Sequence, residues 1–249
     1  MSGPDFIRAE GLAGLRHGFF GRQGGVSTGD FSGLNMSVSV GDAPEAVAEN
    51  RARAIAALGG GELAVLRQVH SNRVVVVEET LPAGDVEGDG LVTRRRGVLL
   101  GVLTADCAPL LLADPSAGVI GAAHAGWRGA VDGILANMVA AMEGLGARRQ
   151  NIALAIGPTI RGANYEVGPD FEAQVLALRP EAETAFFTPA GGKAHFDLPG
   201  FLRAEAAQLG LRAEVVNACT YASPERYFSH RYATHRGTRT GRQMAMIGL

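Results

Sequence analysis

The stretch that decides the fold spans residues 97–129 and reads "GVLLGVLTADCAPLLLADPSAGVIGAAHAGWRG". It begins with a nearly unbroken apolar run, which is typical of a strand that is covered on both faces. The turn sequence "DPSAG" then separates "PLLLA" from "VIGAAH", so this part predicts two short strands. Three consecutive buried strands are therefore expected here, and a helix is expected to follow them.

Helices and strands intermix along the rest of the chain. Residues 41–61 predict a helix whose first turn Asp42 can cap and which the triple glycine at 59–61 ends. Residues 126–146 predict one continuous helix with an apolar stripe. Further strands are predicted over 62–70, 72–79, 151–158 and 213–220, and further helices over 168–180 and 198–210. This mixture predicts the α/β class, in its mixed form.

The composition is that of an ordinary globular protein. Of 249 residues, 47% are apolar and 19% are charged, and the formal net charge is -2. This charge creates no strong field for nucleic acid or anionic lipid, and an aromatic content of 6% argues against a base-stacking surface. We expect a single domain over residues 1–249, with neither a nucleic-acid nor a membrane partner, as a monomer or a small homo-oligomer.

The cysteine count and the first residues suggest a cellular compartment. Two cysteines, Cys107 and Cys219, make no disulfide framework, which favours a reducing cytosol. The opening "MSGPDFIRAEG" carries charges at Asp5 and Arg8 and has no apolar core, so no export signal is predicted. A cytoplasmic location is the expectation.

Three residues at predicted strand ends could carry chemistry: His70, Cys107 and His124. Two imidazoles and one thiolate are sufficient protein ligands for a catalytic zinc ion, whose fourth position stays open. A thiolate also suits copper. Two other interpretations stay open: Cys107 is a buried packing residue, or it is a nucleophile activated by one of the histidines.

Several polar residues are candidates for substrate binding. In "HAGWRGA", Arg128 stands among small residues at a helix start, a suitable place for an anion. The Gly- and Ser-rich segment "FFGRQGGVSTGDFSGLNMS" could fold over a site with Arg22 and Asn35. The basic stretch "YFSHRYATHRGTRTGRQMAMIGL" at the end predicts a solvated face that also offers phosphate-binding groups. Cys219 lies in an apolar context and is interpreted as packing.

Taken together, these motifs resemble one known family. The segments "GRQGGVSTGDFSGLNMS", "RQVHSNRV", "GDGLVT", "TADCAPLLLAD", "GAAHAGWRG" and "FSHR…TGRQ" occur in the order found in the YfiH-like laccase-domain family. The resemblance implies a single domain of two packed β-sheets flanked by helices, a four-layer α/β/β/α sandwich. It also places the family's zinc ligands on His70, Cys107 and His124. The segment "YATHRG" departs from the family ending, so no role is carried over to His230, His235 or Arg239.

The resemblance further implies a zinc-dependent purine nucleoside enzyme. Its reactions would be the phosphorolysis of adenosine or inosine and the deamination of adenosine, with purine nucleoside and phosphate as partners. Asp106 could then shuttle a proton or orient a histidine, and Arg67 or Arg128 could hold phosphate.

Two alternative activities are weighed against this interpretation. A multi-copper phenol oxidase needs many histidines in paired arrangements, whereas the six histidines here never stand two residues apart. The zinc deaminase signature H-x-E with P-C-x-x-C is also absent, so deamination would use a different ligand set. A Cys–His hydrolase that acts on amide bonds, such as those of cell-wall precursors, is an alternative that stays open, with Cys107 as its attacking thiolate.

Overall fold

The computed structural model describes residues 3–81 and 86–249, so residues 1–2 and 82–85 of the predicted domain lie outside the described residues. The strands are β1 (Phe6–Ile7), β2 (Arg16–Phe20), β3 (Glu62–Ala64), β4 (Val74–Val76), β5 (Gly90–Thr93), β6 (Val98–Thr104), β7 (Ala108–Asp114), β8 (Val119–Ala125), β9 (Ala153–Ile156), β10 (Phe186–Phe187), β11 (His195–Phe196), β12 (Arg212–Val215) and β13 (Gln243–Gly248). The helices are α1 (Pro44–Ala57), α2 (Trp127–Val131), α3 (Ile134–Gly144), α4 (Pro169–Leu178), α5 (Leu198–Gln208) and α6 (His230–Arg236).

Two main sheets contain most of the strands. A five-stranded sheet has the order β1-β2-β13-β6-β3, and a six-stranded sheet has the order β12-β9-β7-β8-β5-β4. Strands β10 and β11 form a separate small pair. Most neighbours run antiparallel, and the parallel pairs are β12 with β9, β3 with β6 and β4 with β5. The fold is therefore mixed α/β, as predicted.

The layers follow from the alternation of side chains along the strands. In β7, Leu111 and Ala113 pack between the two sheets, whereas Leu110 and Leu112 pack outwards under α3 and α5. On the far side, α1 covers the outer face of the five-stranded sheet. Helices thus flank two packed sheets, which confirms the predicted sandwich. Because β7 is covered on both faces, its sequence is apolar from Ala108 to Ala113, and Asp114 ends it.

The helix predicted over residues 126–146 is in fact two helices. Helix α2 ends at Val131, and α3 begins at Ile134 after Gly133, which has a φ of 89°. A left-handed residue cannot continue a helix, and glycine adopts that conformation readily. Of the described helices, none is long and apolar enough to cross a membrane.

Two further local predictions are corrected. Asp42 does not cap the first turn of α1, because its carboxylate instead accepts hydrogen bonds from Ser27 Oγ at 2.6 Å and Asn35 Nδ2 at 2.8 Å. The final segment is not solvated throughout. All six residues of β13 are buried, and the strand pairs with β2 on one side and β6 on the other.

Candidate metal centre

Strand register brings three distant parts of the chain together at one edge of the six-stranded sheet. Pro109 pairs with His124 across β7 and β8, so Cys107 lies just beyond the end of that pairing. The next neighbour, β5, pairs Gly90 with residue 123, which places Asp89 opposite His124. His70 comes from the loop between β3 and β4.

The ligand atoms of His70, Cys107 and His124 all lie within 4.8 Å of one another. The Cys107 Sγ atom is 3.9 Å from His70 Nε2, and the two imidazole rings stand nearly perpendicular at 83°. Tetrahedral zinc holds its sulfur and nitrogen ligands about 3.6 Å apart, given the usual bond lengths. The three side chains could therefore hold a metal ion with small adjustments.

The three members of the cluster differ in their exposure to solvent. His124 is buried with 3% exposure, Cys107 is half-buried and His70 is exposed. A metal ion bound here would therefore be held by ligands that range from buried to exposed, with solvent access beside His70. This asymmetry is typical of sites that keep a position open for substrate rather than of closed structural sites.

Asp89 organises two of the three ligands. Its Oδ1 accepts hydrogen bonds from His124 Nδ1 at 2.8 Å and from His70 N at 3.1 Å. Its Oδ2 accepts from Val69 N, Ser71 N and Ser71 Oγ. Because Asp89 holds the Nδ1 proton of His124, the Nε2 atom of that imidazole is left to bind a metal. Sequence reasoning assigned no role to this residue.

Charges within the cluster shift the pKa values of its members. Burial alone would raise the pKa of the Cys107 thiol. The imidazoles of His124 and His70 have a larger, opposite effect, and together these influences bring the pKa down to about 6. Burial alone would lower the pKa of His124. The Cys107 thiolate and Asp89 have a larger, opposite effect, and together these influences bring the pKa up to about 9. At neutral pH the metal-free site is therefore a thiolate beside an imidazolium ion. The ligand that zinc needs as an anion is already deprotonated.

Asp106 occupies the turn before Cys107 with a φ of 87°. Its Oδ1 accepts a hydrogen bond from Thr220 Oγ1 and its Oδ2 accepts one from Arg231 N, both at 2.6 Å. These contacts fasten the later part of the chain to the cysteine turn. The described hydrogen bonds of this carboxylate do not reach a histidine, so a role in orienting His70 or His124 falls to Asp89 instead.

The two predicted substrate-binding residues of the early loop both contact that loop. The guanidinium of Arg22 donates to the carbonyls of Ser32 and Pro224 and lies over the Phe228 ring at 4.5 Å. Asn35 is fully buried, and its side chain bonds with Ser37 and other loop residues. Their substrate roles stay predictions.

The two arginines predicted to hold phosphate are exposed, and both have partners. Arg67 Nη2 forms an ion pair with Glu87 Oε1 at 2.8 Å. The Arg128 guanidinium lies over the Trp127 ring at 5.1 Å. Neither residue is placed by a described contact against the three metal-ligand candidates, so these roles also stay predictions.

Sequence reasoning missed other residues beside Cys107. Burial and the Cys107 thiolate both raise the pKa of Tyr165, and Arg231, over the tyrosine ring at 5.4 Å, opposes them. Arg242 is half-buried close to Cys107 and Asp106. Cys219, interpreted as packing, lies outside the strand, and its sulfur accepts hydrogen bonds from Arg161 N and Asn164 Nδ2.

Known proteins resemble this chain over nearly its whole length. Residues 16–249 match the family described as multi-copper polyphenol oxidoreductase laccase. A Deinococcus radiodurans protein named purine nucleoside phosphorylase is 45% identical over 249 residues, which cover 99% of this chain and 94% of that protein. The crystal structure of Neisseria meningitidis NMB0706, a DUF152 protein, superposes with a TM-score of 0.89 at 33% identity and covers 100% of this chain and 99% of its own. The hypothetical protein YfiH of Bacillus licheniformis superposes with a TM-score of 0.84 at 30% identity and covers 94% and 92%.

Proposed function

Since the chain belongs to the multi-copper polyphenol oxidoreductase laccase family, which includes YfiH and DUF152 proteins, we propose that it is a metal-dependent purine nucleoside phosphorylase. The observation that carries this proposal is the 45% identity, along almost the full chain, to a relative of that name. The open cluster of His70, Cys107 and His124 supports it, because it supplies a reactive centre that such an enzyme needs.

The metal in this proposal is zinc, held by His70, Cys107 and His124. Zinc with an open position acts as a Lewis acid and makes a nearby water molecule a stronger nucleophile at neutral pH. A thiolate with two imidazoles suits zinc and also copper, and we propose zinc because this donor set matches its catalytic sites. Asp89 keeps His124 in the tautomer whose Nε2 atom faces the cluster.

Phosphorolysis of adenosine or inosine exchanges one bond at the anomeric carbon. A phosphate oxygen forms a bond to C1′ while the C1′–N9 bond breaks, and the electron pair leaves with the purine, which takes up a proton. The protein must hold the phosphate on one face of the sugar and stabilise charge on the departing base. The half-buried groups around Cys107, among them Tyr165 and Arg231, are suitably placed to line such a pocket.

Deamination of adenosine is proposed as a second reaction of the same site. Water attacks C6 of the purine, the C6–N bond breaks, and ammonia leaves with inosine as the other product. This reaction needs a group that moves protons beside the attacked carbon. Asp106 is the candidate for this proton transfer because it adjoins Cys107, and its carboxylate also holds the turn by accepting hydrogen bonds from Thr220 and Arg231.

The proposal is tested by elemental analysis of the purified protein, followed by adenosine turnover with and without phosphate. Zinc at one ion per chain and adenine that appears only with phosphate are expected. Inosine that appears without phosphate would demonstrate deamination. Cys107→Ser should lose the metal and both activities, whereas Cys219→Ser, which changes the other half-buried cysteine, should retain them. A metal-free Cys107→Ser variant with normal turnover would exclude the proposed centre.

A Cys–His hydrolase is a second candidate, favoured by one observation. The Cys107 thiol has its pKa lowered to about 6 beside two imidazoles, as an activated nucleophile does. Iodoacetamide separates the two candidates. A metal-bound thiolate should resist alkylation until a chelator removes the ion, whereas a free nucleophile should react at once. A multi-copper oxidase is not favoured, because one His/Cys group is the only metal-binding cluster in the described parts of the chain.

A further inference from the structure

We propose that Arg242 binds the phosphate co-substrate, an inference that rests on the proposed phosphorolysis. Strand register places this residue at the cluster. In the antiparallel pair of β13 and β6, Gln243 lies opposite Thr104. The residue before Gln243 therefore comes alongside the turn that follows Thr104, and this turn contains Asp106 and Cys107.

The backbone of Arg242 is held firmly by the early loop. Its N–H donates to Asn35 Oδ1 at 2.9 Å, and its carbonyl accepts from Met36 N at 3.0 Å. Nη1 donates to the carbonyls of Thr240 and Gly241, which fixes one edge of the guanidinium. No described residue accepts a hydrogen bond from Nε or Nη2. A fixed arginine with unused donors is suited to bind a phosphate through two parallel hydrogen bonds.

The charges around Arg242 also favour an anion. The register of β13 and β6 places Arg242 beside the turn that carries the negative charges of Asp106 and Cys107, and these charges oppose the lowering of its guanidinium pKa by burial. The carboxylate of Asp106 already accepts from Thr220 and from the Arg231 backbone. With a divalent cation bound at the cluster, the guanidinium of Arg242 would stand beside a second positive group, and a phosphate could bind to both.

Other arginines considered for this role are occupied elsewhere. Arg67 is paired with Glu87, Arg128 lies over Trp127, and Arg22 donates to loop carbonyls. Arg242 differs from these three, because the pairing of β13 with β6 brings it alongside the turn that contains Asp106 and Cys107. Its guanidinium is therefore well placed to hold a phosphate beside the metal-ligand candidates.

Calorimetric titration of inorganic phosphate into the zinc-loaded protein tests this inference without relying on turnover. Arg242→Gln should raise the dissociation constant for phosphate about 10- to 100-fold, as expected when a charged hydrogen-bonding pair is lost. Arg236→Gln is the matched control, because it removes the same charge from an exposed position on α6. It should bind phosphate like the unaltered protein. Arg242→Lys keeps the charge but loses the planar fork, and we expect an intermediate effect.

The outcomes separate this inference from the proposed function. If Arg242→Gln and Arg242→Lys both fold and bind phosphate normally, or if Arg128→Gln alone abolishes binding, Arg242 is not the phosphate site. If the unaltered protein binds phosphate through Arg242 but never releases adenine from adenosine, the inference stands and the proposed function fails. If it cleaves adenosine and the KM for phosphate is unchanged in Arg242→Gln, the function stands and the inference fails. Thermal unfolding of each variant shows which of them fold. If Arg242→Gln does not fold, phosphate binding by Arg242→Lys tests the inference instead.

Discussion

Replacement of Asp89 by asparagine should disable the metal centre while leaving its three ligands in place. The Oδ2 atom of Asp89 accepts three hydrogen bonds, from Val69 N, Ser71 N and Ser71 Oγ. The Oδ1 atom accepts two, from His70 N and His124 Nδ1. An asparagine keeps one carbonyl oxygen, and it satisfies more donors if this oxygen takes the Oδ2 position. The amide NH2 group then faces His124 Nδ1.

That arrangement forces a change of tautomer. To accept from the amide, His124 must carry its proton on Nε2, the nitrogen that faces Cys107 and the metal. Loss of a carboxylate that orients a metal-binding histidine typically weakens metal binding 10- to 100-fold, which corresponds to roughly 1.4–2.7 kcal/mol. We expect a loss near the upper end of this range, because Asp89 also holds the loop that carries His70.

The same substitution should lower stability in a pH-dependent way. Burial alone would raise the pKa of Asp89. The hydrogen bonds from His124 and Ser71 have a larger, opposite effect, and the pKa falls to about 2. A carboxyl whose pKa is lowered on folding stabilises the fold above its unfolded pKa of about 4, here by roughly 2 kcal/mol, and loses that contribution as the pH falls towards 2. The stability difference between the unaltered protein and Asp89→Asn should therefore be full at neutral pH and shrink in acid.

Zinc affinity is measured by competition with a chromophoric chelator, and stability by urea unfolding. Asp114→Asn is the matched control, since Asp114 is also fully buried and accepts three backbone hydrogen bonds, but at the opposite end of β7. It should lose stability and keep its zinc affinity. If Asp89→Asn binds zinc within about threefold of the unaltered protein, the tautomer argument is wrong.

Three further predictions concern the ligands and the core. Gly126→Ala should weaken zinc binding about tenfold or more, because the new Cβ would lie 2.7 Å from His70 Cδ2 and 3.2 Å from Cys107 Sγ; a folded variant with normal chelator competition would contradict this. Zinc affinity should rise about tenfold per pH unit between pH 6 and 9, because the His124 imidazolium must lose its proton before it binds zinc. Below pH 6 the affinity should change more steeply with pH, because Cys107 is protonated too. A zinc affinity that does not depend on pH would contradict these shifted pKa values. Leu111→Ala should lower the free energy of unfolding by about 2–5 kcal/mol in a denaturant titration, because the leucine side chain is fully buried between the two sheets. A loss below about 1 kcal/mol would argue against that packing.

The central strands could be predicted from the sequence because their signal is local. Every residue of β7 and β8 is buried, and all but Asp114 and His124 contribute an apolar or small side chain whichever face they lie on. The last strand, β13, carries no such signal. Its segment "QMAMIG" has one β-branched residue and follows several arginines, and it becomes a strand only because β2 and β6 pair with it.

The candidate site was predictable to a similar depth. His70, Cys107 and His124 have side chains whose chemistry suggests metal binding wherever they occur, and their positions at strand ends suggested that they meet. Asp89 and Arg242 could not be assigned in this way. Their importance depends on register, since Asp89 lies opposite His124, and Arg242, just before β13, lies beside the cysteine turn that follows β6. Register is a property of the folded sheet and leaves no mark in either residue's immediate neighbours.

The conformations of His70 and Asp106 bear on how this protein could be engineered. Of the non-glycine residues that the structure describes, these two alone have a positive φ, at 60° and 87°. Such a backbone costs roughly 1–2 kcal/mol for a residue with a Cβ atom. A variant library screened only for heat resistance should therefore accumulate glycine at position 70, where it relieves the strain but removes a metal-ligand candidate. At position 106 the two hydrogen bonds of the carboxylate offset the gain. Selection for thermal stability and selection for metal binding would therefore favour different residues at position 70.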